Sequence, residues 1–248
     1  GPQLQTTLYE AIRHDGTTTT FDEALNLLLG DDGASLGLTY EVVRTDGDGD
    51  QVTASETLVL ADEQGSILTF DDDGPTQNVG LAQGASADLL AMEVDETVGV
   101  DRAAPGETAD GNGDDGAGYL GRSTTALGGG GLVGLFTASG DYGQDGAGSV
   151  STSLYFSGIP AGGELSTNLE ATDGGAIVLQ MDGDDVVGVD GDGHVVFRLE
   201  IIDTLDGPQL QTTLYEAIRH DGTTTTFDEA LNLLLGDDGA SLGLTYEV

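Results

Sequence analysis

Carboxylates recur along this chain in short runs spaced by glycine. The runs are Asp46-Gly47-Asp48-Gly49-Asp50, Asp71-Asp72-Asp73-Gly74, Asp110-Gly111-Asn112-Gly113-Asp114-Asp115, Asp141-Tyr142-Gly143-Gln144-Asp145, Asp182-Gly183-Asp184-Asp185 and Asp190-Gly191-Asp192-Gly193. In a tight loop, carboxylates at alternate positions converge on one point, and the glycines between them let backbone carbonyls turn inward. Such an oxygen cage, of about six to eight hard ligands, suits Ca²⁺. The candidate ligands are Asp46, Asp48, Asp50, Asp71, Asp72, Asp73, Asp141, Asp145, Asp190 and Asp192. Asp95, Glu96 and Asp101 follow an apolar stretch and are added as ligands for an ion at a junction between units.

The best single loop is Asp46, Asp48 and Asp50, three alternate carboxylates at an expected hairpin tip. It is not a helix-loop-helix calcium loop: counted from Asp46, the sixth position is Gln51 rather than Gly and the twelfth is Thr57 rather than Glu. Two plainer readings compete. Asp-Gly pairs make good β-turns, and acidity by itself keeps a chain soluble in high salt.

Other chemistries are poorly supplied. His14, His194 and His220 are too few and too scattered for zinc or a triad, and are read as structural. Ser123, Ser139 and Ser151 lack a nucleophile-elbow pattern, and a phosphate-cradling Gly-Lys loop needs a lysine that the sequence does not contain. The expectation is a non-enzyme.

Charge narrows the partners. The chain has 248 residues with 45 acids against 6 basic residues, all arginine, for a net charge of -39. Nothing in that balance grips a nucleic-acid backbone or inserts into an anionic membrane. Self-repulsion of this size opposes a compact state unless cations or salt offset it. With 0 Cys there is no disulfide framework, so metal is the available staple. No secretory leader and no apolar run of about 18 residues is present, and export stays open.

The elements that must hold these loops read as strands. Alternating or β-branched runs occupy 3–12, 36–44, 51–60, 66–70, 132–139, 149–156, 176–181, 194–203 and 209–218. Residues 22–29 fit a short helix with Thr20 as N-cap, or a strand edge. Residues 76–131 are the least regular and read as linker or long loop. Glycine, at 41 residues, with only 5 Pro, fits many short strands joined by Gly/Asp turns.

The organisation is repetitive. Residues 1–42 return letter for letter as 207–248, a period of about 206 residues, longer than solenoid repeats. Identical copies favour a rod, stalk or avidity array over an enzyme. The clearest hairpin joins 194–203 to 209–218 across the period boundary, so within the 248 residues the first copy of that strand stands without its sequence-adjacent partner. A second hairpin joins 36–44 to 51–60. Units are expected at 1–75, the closing part of one repeat, and 76–248, most of the next, with 207–248 duplicating 1–42.

Several strings together resemble the large repeat domains of giant RTX adhesins, which Gram-negative bacteria export by type I secretion. They are Val94-Asp95-Glu96-Thr97-Val98-Gly99-Val100-Asp101, Phe136-Thr137 with Asp141-Tyr142-Gly143-Gln144-Asp145-Gly146, Asp185-Val186-Val187-Gly188-Val189 before Val195-Val196-Phe197, residues 215–221, residues 45–50, and Phe70-Asp71-Asp72-Asp73-Gly74-Pro75. The resemblance implies an extracellular extender repeat of a cell-surface adhesin. Neighbouring repeats of the same chain and calcium ions would be its partners, and it would hold a distal ligand-binding region away from the cell in attachment and biofilm formation. The expected fold is all-β, an antiparallel Ig-like β-sandwich stabilised by calcium. A calcium-dependent carbohydrate-binding module acting through avidity is the alternative, weakened by the lack of Trp and an aromatic content of 5%.

Overall fold

A computed structural model describes residues 1–13, 24–30, 33–71, 73–96, 118–220, 231–236 and 239–248. The fold is all-β with antiparallel sheets. Among the described residues strands make up 46% and there is almost no helix, against the 20–25% strand of an average globular domain. The chain divides into two compact units, one of Gly1–Gln77 with Gly140–Ser149 and one of Asn78–Ser139 with Val150–Val248.

In the first unit β1 (Leu25–Asn26) and β2 (Leu36–Thr45) are followed by β3 (Gln51–Ala61) and β4 (Thr69–Phe70). β2 and β3 form the expected hairpin, in register from Leu36↔Ala61 to Thr45↔Gln51. Nearly every residue of the hairpin is exposed, and Ala61 is the buried exception. β1 pairs with β4 through Leu25↔Phe70 and Asn26↔Thr69, so residues 24–29 take the strand-edge alternative and not the helical one. Thr20, Asp22 and Glu23 lie outside the described residues. The strand expected at 3–12 does not form: residues 1–9 have no regular structure. Val195–Thr204 and Gly121–Thr124 pair instead with the second copy of this string.

The remaining strands are β5 (Thr76–Leu81), β6 (Gly121–Thr124), β7 (Phe136–Asp141), β8 (Ser153–Ser157), β9 (Leu165–Ala171), β10 (Gly175–Asp182), β11 (Asp185–Val189), β12 (Val195–Thr204), β13 (Gly207–Leu214) and β14 (Gly243–Glu247). β5 pairs with β7, β8 with β14, and the other six form one sheet in the order β6-β13-β12-β11-β10-β9. Consecutive antiparallel neighbours from β9 to β13 make this a meander, the low-cost topology for strands joined by short Gly/Asp turns. β6 closes the far edge beside β13.

Three expectations are corrected. Residues 76–131 are not simply linker, because β5, β6 and a 3₁₀ turn at Ala87–Leu90 lie there; 97–117 fall outside the described residues. The strand expected at 132–139 begins as a 3₁₀ turn, Gly131–Leu135, and extends only from Phe136. β9 and β11 were not foreseen as strands.

The core of the second unit is built from buried residues of the large sheet and from β8. Leu165, Leu169, Ile177, Leu179, Val186, Val196, Phe197, Leu210 and Leu214 pack with Leu132 and Phe156, flanked by Leu242 and Leu244. Burying each such aliphatic side chain contributes about 1.5–3 kcal/mol. Phe136 and Tyr246 add a tilted ring pair at 5.3 Å.

The β12–β13 hairpin sits at the centre of this assembly and crosses the period boundary. Thr204 pairs with Gly207, and the Thr204 hydroxyl donates to the Gly207 carbonyl at 2.7 Å. Gly207 has φ of 105°, a conformation that an L side chain strains to adopt.

Candidate metal centres

Among the described residues, three carboxylate or imidazole donors converge within 4.8 Å at two places. The first is the expected one. Where β2 turns into β3, the Asp46 carboxylate folds back along its own loop: Oδ1 accepts from the backbone N–H of Gly49 at 3.1 Å and of Asp50 at 2.8 Å. The Asp46 N–H donates to the Asp50 carbonyl at 3.0 Å, closing the loop. That geometry swings the carboxylates of Asp46, Asp48 and Asp50 together. All three are exposed, as an entry path for a hydrated cation requires. The hydrogen bond with the Asp48 carboxyl, opposed by burial and helped by the backbone N–H groups of Asp50, Asp48 and Gly49, holds Asp46 below the usual carboxylate range.

The second place gathers Asp190, His194 and Glu216. Asp190, in the turn after β11, is buried, while His194 is exposed and Glu216 half-buried. The sequence placed Asp190 and Asp192 together as ligands. The structure instead uses the Asp192 backbone N–H as a donor to Asp190 Oδ1 at 3.0 Å, and brings His194 and Glu216 to the aspartate. His194, read as structural from the sequence, lies beside the two acids. The backbone N–H of His194, opposed by burial and helped by the Asp192 N–H and the imidazole, holds Asp190 below the usual carboxylate range.

The other acids are placed as follows. Asp73 Oδ2 accepts from the Gln144 backbone at 3.1 Å and Asp141 Oδ1 from the Gly143 backbone at 2.8 Å. The two acidic runs thus meet, a contact that sequence spacing does not announce. Yet Asp71, Asp73, Asp141 and Asp145 join neither of the three-donor groups among the described residues. Glu96 Oε1 accepts from the Ile218 N–H at 2.6 Å and lies 3.6 Å from His220 Nε2, contacts that tie a loop. Asp95 is half-buried and is engaged elsewhere. Asp72, Asp101, His14 and the 110–115 run lie outside the described residues.

The run at 182–185 is a turn device. Asp182 pairs with Asp185 across the β10–β11 hairpin. Arg198 bridges both carboxylates, reaching Asp185 at 2.7 Å and Asp182 through its other guanidinium nitrogen. These bonds raise the arginine's pKa, with the Asp182 bond the largest cause.

No curated protein and no solved structure matches the chain. A match over residues 91–248, more than half of its length, shows that the chain belongs to a family described as a domain of unknown function, DUF5801.

Proposed function

We propose that this chain is a stretch of tandem extender repeats from a bacterial cell-surface adhesin. Calcium stiffens the repeats, and they project a distal ligand-binding region in surface attachment and biofilm formation. The observation that carries the reading is the position of β13. It opens the second copy of the repeated sequence, yet it is an interior strand, bonded to β12 on one side and β6 on the other. A unit therefore needs the end of one period and the start of the next, the arrangement of a continuous array rather than of beads on separable linkers. In this reading the six-stranded sheet and the β8–β14 pair are the two layers of an Ig-like sandwich, and extracellular Ca²⁺ fills the Asp46 loop and offsets part of the -39 charge.

Thermal unfolding in EDTA and in millimolar Ca²⁺, with Mg²⁺ at matched ionic strength, tests the calcium half of the proposal. An ion bound only by the folded chain stabilises by about 2.7 kcal/mol at 100 times its Kd. The expected result is a calcium-specific rise in Tm that shrinks in Asp48→Ala. An equal rise with Mg²⁺, or an unchanged response in that variant, refutes the stiffening role of this loop.

A further inference from the structure

The turn between β11 and β12 holds a carboxylate with one oxygen hydrogen-bonded and one not. The Asp190 side chain is fully enclosed. Its Oδ1 accepts from the backbone N–H groups of Asp192 at 3.0 Å and His194 at 2.8 Å, a local turn of the kind aspartate favours. Its Oδ2 is buried and accepts no hydrogen bond. Native structures rarely leave such an atom unsatisfied, because a desolvated carboxylate oxygen without a partner is expensive.

What surrounds Oδ2 is a donor set. His194 Nδ1 stands 3.5 Å away, too far for an N–H···O bond, which falls at about 2.7–3.2 Å. The Glu216 carboxylate completes a triangle in which all donor atoms lie within 4.8 Å of one another. Two ligands on one tetrahedral ion, each bonded at about 2.0–2.2 Å, stand roughly 3.3 Å apart. The Asp190–His194 separation fits a tetrahedral edge better than a hydrogen bond.

The backbone fixes all three ligands. The Asp190 N–H donates to the His194 carbonyl at 3.0 Å, and the Tyr215 and Glu216 N–H groups donate to the Val196 carbonyl at 2.7 and 3.3 Å. The chain leaving β13 is thereby folded over the start of β12. From the other side the β9–β10 turn presses on the aspartate: a Cβ on Gly174 would collide with Oδ2, and the Gly191 N–H donates to the Gly174 carbonyl at 3.0 Å.

We propose that Asp190, His194 and Glu216 form a binding site for a divalent transition cation of the zinc type, separate in chemistry from the all-oxygen Asp46 loop. Calcium prefers oxygen ligands; one imidazole with two carboxylates suits the softer ions. Asp190 Oδ1, tied to two N–H groups, supplies the outer support that orients a ligating carboxylate. The exposed His194 side leaves a coordination position open to water. The site is also composite. Asp190 and His194 precede the period boundary and Glu216 follows it, so the ion clamps the second copy onto the sheet that receives it. Glu10, the same position in the first copy, is exposed.

The test is calorimetric titration of Zn²⁺ into the full chain in millimolar Ca²⁺, which keeps oxygen-only sites filled. This arm reads zinc alone, so it succeeds or fails independently of calcium stiffening. The expected result is one zinc per chain that calcium does not displace, weakened at least tenfold in His194→Ala and in Glu216→Gln, and unchanged in His220→Ala and Glu10→Gln. Equal binding in His194→Ala, or loss of the site in His220→Ala, overturns the proposal. If a variant fails to fold, ring NMR of the unaltered chain decides: zinc must shift the His194 resonances to a one-to-one endpoint, and shifts confined to the other histidines, or none, overturn it.

Discussion

Residues 1–42 and 207–248 are the same string in two settings. In the second, Gly207–Leu214 is a strand between two neighbours; in the first, residues 1–9 have no regular structure. Leu210 is 7% exposed and its counterpart Leu4 65%; Leu214 is 3% exposed and Leu8 54%. The later parts of the copies diverge differently. Both form strands, but Leu36–Thr45 pairs with Gln51–Ala61, whereas Gly243–Glu247 pairs with Ser153–Ser157. Identical propensity with unlike outcomes shows that partners, not the string, decide the structure here, as expected where strand preference reflects packing against neighbours.

The sharpest break in that comparison comes from cutting the same side chain in both copies. Leu210→Ala removes a core leucine and should lower the unfolding free energy of the second unit by about 2–5 kcal/mol. Leu4→Ala, at an exposed site, should change it by less than about 0.5 kcal/mol. Urea unfolding of each variant measures both. Equal losses at the two sites would mean that the first copy is docked in solution and the contrast between settings is false.

A polar pair refines the point. Gln209 is 3% exposed. Its Oε1 accepts from the Thr125 hydroxyl at 2.9 Å and the Leu127 N–H at 3.0 Å, while its Nε2 donates to the Leu127 carbonyl at 3.1 Å. Removing it leaves buried groups unsatisfied, so Gln209→Ala should cost about 1–3 kcal/mol. Gln3→Ala should be silent in the same urea titration, since Gln3 is exposed. A silent Gln209→Ala would show that water replaces the amide without loss.

What could be read in advance follows from how local each feature is. The β2–β3 and β12–β13 hairpins were legible because alternation and turn residues lie within one stretch of sequence. β9 was hidden because Thr167, not an aliphatic residue, takes an inward position and donates to the Ile177 carbonyl at 2.6 Å. β11 was hidden because Val186, Val187 and Gly188 are all buried, which erases the period of two. The choice of β3 or β8 as partner for one string is written nowhere in that string. The two candidate metal centres divide the same way. Asp46, Asp48 and Asp50 converge through one tight loop and could be found by spacing. Glu216 reaches Asp190 only through the register of β13 against β12, and no local pattern points to it.

The finest contrast concerns charge. Arg219 Nη1 lies 3.2 Å from Glu170 Oε2, with both side chains more than half exposed; its counterpart Arg13 is exposed in the first copy. Either Arg→Ala substitution makes the -39 chain more negative by the same amount, so Arg13→Ala measures the diffuse cost of added repulsion and the excess in Arg219→Ala measures the local pair. That excess should be about 0.2–1 kcal/mol. It should shrink in high salt, because screening acts over a Debye length of about 8 Å at physiological ionic strength. A double-mutant cycle with Glu170→Gln isolates it, since the Arg219 N–H also donates to the Glu170 carbonyl at 2.7 Å and that backbone bond survives every variant in the cycle. A coupling of zero would leave the backbone bond as the part of this contact that holds the second copy at the edge of β9.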